Sequence, residues 1–248
     1  MERGEPPTLR STLVAVTGDP LANPAWHALT GRQAHLAEVV GGARRFLPDV
    51  SFFAAVDRLD GAGWSALADL AGPGGAVVVA RADVPAPPPG WVAHPPIRSH
   101  QMVAERLTPP TPDERAARAA VRPLTVASAG RALALVAAAQ PGPFLARTIE
   151  LGGFVGIEDD GRRLVAMAGE RLRLGGHTEV GGVCTHPDAR GRGLAAAVTR
   201  HVAAGILDRG EVPFLHVAHG NDPAVRLYER LGFTHRRTVD FVLLEAPE

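Results

Sequence analysis

The stretch that decides the fold runs from residue 183 to residue 195 and reads Val183-Cys184-Thr185-His186-Pro187-Asp188-Ala189-Arg190-Gly191-Arg192-Gly193-Leu194-Ala195. Its β-branched start followed by a proline indicates a strand that enters a loop. A glycine-rich turn then leads into a segment with an apolar residue at every fourth position: Leu194, Val198, Val202 and Ile206. This spacing predicts a helix over residues 191–208 with one apolar face.

The glycine-rich turn has the features of an anion-binding site. A helix N-terminus carries backbone N–H groups without intrahelical acceptors, and the helix dipole behind them favours negative charge. Glycine and alanine in the first turn let ligand atoms approach the backbone, and Arg190 and Arg192 add positive charge. A pyrophosphate is therefore the natural ligand. Taken alone, the turn is also compatible with an ordinary glycine-rich helix start whose arginines are solvated.

The turn resembles the Gln/Arg-x-x-Gly-x-Gly/Ala signature of the GNAT superfamily, the acetyl-CoA-dependent N-acetyltransferases, here as Arg190-x-x-Gly193-x-Ala195. It has neither the Gly-Lys-Ser/Thr ending of a P-loop nor the Gly-x-Gly-x-x-Gly spacing of a dinucleotide fold. A second segment resembles the closing helix of the family and the strand after it: Asn221-x-x-Ala224-x-x-Leu227-Tyr228-x-x-Leu231-Gly232-Phe233. Upstream, residues 141–148 and 164–170 are similar to a bacterial subgroup close to the glycine-N-acyltransferase-like proteins.

The resemblance implies an α/β fold with a mixed sheet, acetyl-CoA as cosubstrate and no metal. In the family the turn cradles the pyrophosphate of CoA through backbone amides, and the strand before it pairs with the pantetheine arm. The Val183 amide would donate to the thioester oxygen, and Asn221 would cap its helix and contact the pantetheine. The residues expected to hold the cosubstrate are Val183, Cys184, Thr185, Arg190, Gly191, Arg192, Gly193, Leu194, Ala195, Asn221 and Ala224.

Two residues are expected to carry the chemistry. Tyr228, the only tyrosine of the chain, matches the tyrosine that faces the CoA sulfur as general acid in the family; packing in the core is the alternative. Strand alternation predicts Glu179 on the same face as Val183, and some members of the family have their base at this spacing. Glu179 is therefore the predicted base or a residue that positions a water, with Glu170 a weaker candidate. A carboxyl pKa of about 4.3 against about 10.4 for an alkyl amine makes direct abstraction uphill unless burial raises the former.

The composition excludes several classes of partner. The 248 residues include 26 basic and 26 acidic side chains, so no net charge attracts the chain to nucleic acid or to anionic membranes. The first residues show no apolar core of an export signal, and no long apolar run predicts a membrane span. The single cysteine, Cys184, permits no intrachain disulfide and is predicted to pack in the core. His216-x-x-His219 lacks a third ligand and is not expected to bind metal. We expect a cytoplasmic protein.

A proline-rich segment, Thr108-Pro109-Pro110-Thr111-Pro112, divides the chain. We expect an N-terminal α/β domain over residues 1–107, a linker over 108–120 and the GNAT domain over 121–248. Within the first half, residues 26–40 predict a helix interrupted near Gly31, and residues 75–80 a buried strand. This half has no Arg-x-x-Gly-x-Gly/Ala turn, so it is not expected to bind CoA. It is interpreted as an α/β or degenerate GNAT-like domain that shapes the acceptor pocket with residues 141–148.

The expected function is transfer of an acetyl or other short acyl group from acetyl-CoA to a primary amine. A small molecule or an amino acid is the first choice of acceptor, and a peptide N-terminus or a lysine is the second. The alternative from another class is a non-enzymatic module that binds acyl-CoA, but the presence of both Tyr228 and Glu179 favours an enzyme. The acceptor, the acyl-chain preference and the oligomeric state are not set by the sequence.

Overall fold

The structure is a computed structural model that describes residues 19–248; residues 1–18, where the sequence predicts no export signal, lie outside the described residues. The described chain has the predicted mixed α/β fold. Its strands are β1 (Ala37–Val40), β2 (Ala43–Phe46), β3 (Ala54–Val56), β4 (Ala76–Arg81), β5 (Val92–Ala93), β6 (Ile97–Val103), β7 (Arg122–Pro123), β8 (Val155–Glu158), β9 (Leu164–Arg173), β10 (His177–Thr185), β11 (Val212–Ala218) and β12 (Thr234–Glu245). Its helices are α1 (Pro24–Thr30), α2 (Gly61–Ala71), α3 (Pro112–Arg118), α4 (Ala129–Ala139), α5 (Leu194–Asp208) and α6 (Asp222–Leu231).

One mixed sheet organises the chain. Its strands lie in the order β4-β12-β6-β11-β10-β9-β8-β7, with β5 beside β12. Neighbouring strands are antiparallel except β10 and β11, which are parallel. β4 and β6 come from the first half of the chain and pair with β12 and β11 from the second half. The division into domains at residues 108–120 stays a prediction, but the sheet continues across it.

The first half of the chain also contains a smaller antiparallel sheet of β1, β2 and β3. This sheet contacts the helices α1 and α2. A helix is predicted over residues 26–40, but the observed helix α1 ends at Thr30. The prediction is therefore wrong for the residues after Thr30. Residues 37–40 instead pair with residues 43–46 across a tight turn in which Gly41 has a φ of 53°. Pairing between strands therefore overrides the helical spacing of the apolar residues.

The long helix α5 packs on the sheet through its apolar face, as the spacing predicts. It begins at Leu194 and not at residue 191. Gly191 and Gly193 have φ values of 77° and 72° and form a left-handed turn that a helix cannot include. The apolar stripe of the sequence lies in the core: Leu194, Val198, Val202 and Ile206.

The proline-rich segment contacts both α5 and α6. Its helix α3 starts with a capping box between Thr111 and Glu114. Glu114 pairs with the buried Arg200 of α5 at 2.9 Å, and Arg200 also donates to the Thr108 carbonyl. The Thr108 hydroxyl donates to the Arg230 carbonyl at the end of α6. This segment therefore ties α5 to α6.

The sheet opens between β10 and β11. The two strands pair only from His177 and Val212 to Glu179 and Phe214, although they continue to Thr185 and Ala218. A register shift against β9 falls between residues 181 and 184, where Gly182 has a φ of 63°. The backbone of β10 beyond this point therefore has a free edge toward β11.

The register shift at Gly182 is a β-bulge, and it changes the direction in which the side chains of β10 point. Val180 and Val183 pack against the same apolar cluster under α5, although strict alternation would put them on opposite faces. The predicted common face of Glu179 and Val183 is therefore wrong, because one extra residue at Gly182 reverses the alternation.

Candidate active site

The opening between β10 and β11 forms a cavity of about 820 Å³. Its walls come from residues 180–185 of β10, residues 216–218 of β11, the first turn of α5, one face of α6 and the loop at residues 139–144. Four segments that the sequence singled out separately therefore meet at one place. Of the predicted cosubstrate residues, all except Arg192 line this cavity.

The N-terminus of α5 closes one end of the cavity. Gly193 is its N-cap residue and supplies no side-chain cap, and the first backbone bond inside the helix runs from the Ala197 amide to the Gly193 carbonyl. The amides of the first turn are thus available to a ligand. A Cβ added at Gly191 would have no heavy atom within 4 Å, so open space lies beside the turn. This arrangement fits a pyrophosphate.

The two arginines of the turn have different surroundings. Arg190 lines the main cavity. Arg192 lines a second cavity of about 500 Å³, on the side of α3, together with Asp113 and Asp159. Of the two, Arg190 is therefore the one that lines the β10–β11 opening.

The free edge of β10 presents polar backbone and one unpartnered hydroxyl. Thr185 Oγ1 is buried and has no hydrogen-bond partner among residues 19–248. Such an atom is costly unless a ligand or water bonds to it. Cys184 is buried with Phe144 and Met167, and burial raises the pKa of its thiol to about 12. The sequence predicts this packing in the core. The same environment is unfavourable for a nucleophile, because the thiol stays protonated. The edge as a whole fits an amide-bearing arm such as pantetheine.

The helix α6 forms the opposite wall. Asn221 caps it, with Oδ1 accepting from the Ala224 amide at 3.4 Å, as the sequence predicts. Tyr228 lines the cavity with only 8% of its surface exposed and contacts Phe233 edge to face. Burial raises its pKa to about 12, although the positive charge of Arg171 opposes this shift. Its hydroxyl makes no hydrogen bond within residues 19–248, so it is free to bond to a ligand.

Glu179 is fully buried beside the cavity, behind Arg171 and His216, which line it. Its Oε2 accepts from Arg171 Nε at 2.8 Å and its Oε1 accepts from Arg171 Nη2 and, at 2.6 Å, from His216 Nδ1. Burial alone would raise the pKa of this carboxyl, but the charges and hydrogen bonds of Arg171 and His216 outweigh it and hold the pKa at about 2. Glu170 is also buried and is paired with Arg173 and Arg209.

Sequence reasoning missed the two partners of Glu179. Arg171 and His216 both line the cavity, and each stands within a strand that is otherwise mostly apolar. The sequence did contain a signal for them. A charged residue in a strand that its apolar neighbours predict to be buried needs a partner. His216 does not meet His219, which stacks on His100 with ring centroids 4.1 Å apart. No group of residues within 19–248 has an arrangement that could hold a metal ion.

Comparison with known proteins assigns the chain and its fold to a family. A solved structure from Novosphingobium aromaticivorans DSM 12444, described as an acetyltransferase from the GNAT family, is 37% identical and superposes with a TM-score of 0.81. The match covers 93% of this chain and 100% of the other. The chain belongs to the GNAT family. The GNAT core of β8–β12, α5 and α6 is also where the FR47-like family model matches, at residues 154–242.

A second GNAT relative is more distant. The GCN5-related N-acetyltransferase from Kribbella flavida is 25% identical, with a TM-score of 0.55, and the match covers 86% of this chain and 89% of that one. No curated protein matches this chain in sequence. Among residues 19–248, none of the helices has both the length and the apolar character that a membrane crossing requires.

Proposed function

We propose that this GNAT protein transfers an acetyl or other short acyl group from acetyl-CoA to the primary amine of a small molecule. The observation that carries the proposal is the β10–β11 opening, where the free N-terminus of α5, an unpaired strand edge and the Tyr228 hydroxyl face one cavity. Acetyl-CoA would supply the acyl group already activated as a thioester. Membership of the GNAT family supports the same chemistry.

The proposed binding mode uses backbone more than side chains. The first-turn amides of α5 and Arg190 would hold the pyrophosphate. Thr185 and the edge of β10 would bond to the pantetheine arm, with Asn221 and Ala224 on the other side. The Val183 amide would donate to the acyl oxygen as negative charge develops there, an effect worth about 2.7–4 kcal/mol in comparable sites.

Tyr228 is the proposed donor to the departing thiolate. Because its pKa is about 12, the phenol stays protonated at neutral pH and can donate. An ordinary thiol has a pKa of roughly 8.5, so complete proton transfer from Tyr228 is uphill and a hydrogen bond is the larger contribution. A phenol without a competing partner is suited to this role.

The proton-accepting role of Glu179 stays a prediction. A carboxylate with a pKa of about 2 and three hydrogen bonds is a weak base, which favours an indirect role in holding Arg171 and His216. We propose that the ammonium loses its proton to bulk solvent before the attack, with water in the cavity as the relay. The neutral amine, about one molecule in a thousand at neutral pH, would be the species that reacts.

The first half of the chain is proposed to shape the acceptor side. The segment at residues 141–144 lines the cavity, and the residues after it are anchored to the first half. Thr148 donates to the Val50 carbonyl at 2.7 Å, and the Arg147 amide donates to the Asp49 carbonyl at 2.9 Å. We also propose kinship with the glycine-N-acyltransferase-like subgroup, because residues 141–148 and 164–170 resemble it in sequence. The single cysteine, which is buried and permits no intrachain disulfide, supports a cytoplasmic location.

Thermal unfolding with acetyl-CoA, and with CoA, NAD and ATP as controls, tests the proposal. At a hundred times Kd, a ligand of one site adds about 2.7 kcal/mol, or roughly 5–10 °C in Tm for a protein of this size. We expect this shift with acetyl-CoA and CoA only, followed by release of free CoA when a panel of amines is added. Equal shifts with NAD or ATP would contradict the proposal. A shift without turnover of any amine would favour a non-enzymatic module.

A further inference from the structure

The guanidinium of Arg171 has one nitrogen that the protein leaves unused. Within residues 19–248, the side-chain hydrogen bonds of Arg171 come from Nε and Nη2, both to Glu179, and Nη1 makes none. The side chain keeps 26% of its surface accessible and lines the β10–β11 cavity. A partly buried cation that lines a cavity and keeps N–H groups free is a binding group for an anion.

The surroundings hold Arg171 in one orientation. Glu179 behind it is fully buried and stays ionised, since its pKa is about 2. The guanidinium also lies over the ring of Phe53, with Cζ 5.5 Å from the ring centroid. On its other side Gly181 leaves the room it needs, because a Cβ there would come within 2.8 Å of the Arg171 Cβ. A group fixed in this way binds a partner at a low entropic cost.

The charges of the cavity wall are of one sign. Its ionised side chains are Arg171, Arg190 and Arg230, and no aspartate or glutamate is among the residues that line it. Arg190 belongs to the turn proposed to bind pyrophosphate. Glu179 lies behind Arg171 and is covered by it. Once Arg190 holds the pyrophosphate, Arg171 is left as a positive charge for the acceptor to meet. An ammonium alone would be repelled at this point, whereas a carboxylate on the same acceptor would be attracted.

We propose that Arg171 binds a carboxylate of the acceptor through Nη1, so that the acceptor is a primary amine that also carries a carboxylate, such as an amino acid. This inference rests on the proposed acyl transfer and narrows the acceptor class. Arg171 is then a specificity-determining residue, and Glu179 acts by orienting it.

The test compares acceptors that differ only in the carboxylate. Initial rates of acetyl transfer are measured for several amino acids and for their primary carboxamides, with saturating acetyl-CoA. We expect kcat/KM to be at least about tenfold higher for the amino acid of each pair, mainly through KM. The amine of a carboxamide is the more acidic of the two, so its larger neutral fraction opposes the expected preference. Carboxamides that react as well as the amino acids would overturn the inference and leave the proposed acyl transfer intact.

Variants assign the preference to Arg171. The double variant Arg171→Gln/Glu179→Gln removes both charges of the pair together, which avoids the strong destabilisation of a buried carboxylate left unpaired. We expect it to lose the preference while it still acetylates the carboxamides. Arg230→Gln removes another cavity charge on α6 and should keep the preference. A double variant that still discriminates, with Tm showing that it is folded, would contradict the assignment. Failure of every amine with the wild type would overturn the inference together with the acyl transfer on which it rests.

Discussion

Gly191 and Gly210 have almost the same positive φ, 77° and 74°, just outside the two ends of α5. A Cβ added at either position would have no heavy atom within 4 Å. Alanine at either one therefore incurs the same strain, about 1–2 kcal/mol for the left-handed region. Only Gly191 borders the cavity.

Alanine variants of Gly191 and Gly210 distinguish an effect on acetyl-CoA binding from an effect on stability. We expect Gly191→Ala to raise the Kd for acetyl-CoA by about tenfold or more, because its methyl group and the altered turn displace the pyrophosphate. Gly210→Ala should lower Tm by a similar amount without a change in Kd. Calorimetric titration with acetyl-CoA and thermal melts of both variants measure these quantities. Equal losses of affinity in the two variants would mean that the turn has no special role.

Tyr228→Phe tests the donor to the thiolate. Because the hydroxyl has no partner within residues 19–248, its loss should change the free energy of unfolding by no more than about 0.5 kcal/mol. We expect kcat to fall by about a hundredfold, as for other general acids, with the Kd for acetyl-CoA nearly unchanged. Steady-state kinetics and a melt decide the outcome. An unchanged kcat would leave Tyr228 as a packing residue.

The pH dependence of the rate tests Glu179. With its pKa held at about 2, this carboxylate does not titrate between pH 6 and 9. The value of kcat/KM should therefore rise about tenfold per pH unit as the acceptor amine loses its proton, in the wild type and in Glu179→Gln alike. A basic limb that disappears in Glu179→Gln would instead support Glu179 as the base.

Glu179 should also contribute to stability in acid. A folded pKa below the ordinary value means that the unfolded chain binds the proton more tightly. The stabilisation is present above about pH 4.5 and is lost as the pH falls toward 2. Glu179→Gln should be less stable than the wild type at pH 7, by about 3 kcal/mol if Arg171 is left unpaired, and this gap should narrow in acid. Urea unfolding at a series of pH values measures it.

His100 of β6 and its neighbours His219 and His235 make the stability of the protein depend on pH near neutrality. Burial lowers the pKa of His100, and the neighbouring His219 and His235 lower it further, against the opposing charges of Asp222 and Glu229. A lowered histidine pKa means that the unfolded chain binds more protons, so stability falls as the pH drops below about 6.5.

We expect Tm to be lower at pH 5.5 than at pH 8, and His100→Gln to reduce this difference. The exposed His35, changed to Gln, is the control and should leave the difference as it is. Melts of the three proteins at both pH values measure the effect. A difference that is the same in all three would remove His100 as its source.

Thr148→Val tests whether the first half of the chain supports the acceptor side. Thr148 Oγ1 donates to the Val50 carbonyl and accepts from the Leu145 amide at 2.8 Å. Losing both bonds should raise KM for the acceptor several-fold and leave KM for acetyl-CoA unchanged. Thr30→Val removes a hydroxyl bond inside α1 and is the matched control. Equal changes in both Michaelis constants would show a general loss of structure.

Much of the site could be predicted from local sequence. The glycines at 191 and 193, the apolar period of residues 194–206 and the cap at Asn221 act between near neighbours in the chain, and the structure has the turn, the helix and the cap where the sequence indicates them. These features depend on backbone conformation and on one face of one helix. The mixed α/β class and the GNAT fold follow from their order along the chain.

The rest was decided by contacts between distant segments. Residues 37–40 became a strand because residues 43–46 pair with them, and strands from both halves share one sheet because their edges meet. The bulge at Gly182 reversed the faces of β10, and the ionisation of Glu179 depends on Arg171 and His216 from the strands on either side. Sequence determined the helix α5, the cap of α6 and the glycine-rich turn, because local backbone preferences suffice for them. Only tertiary structure decided which charges face the cavity, because burial and charge pairing exist only after the strands assemble.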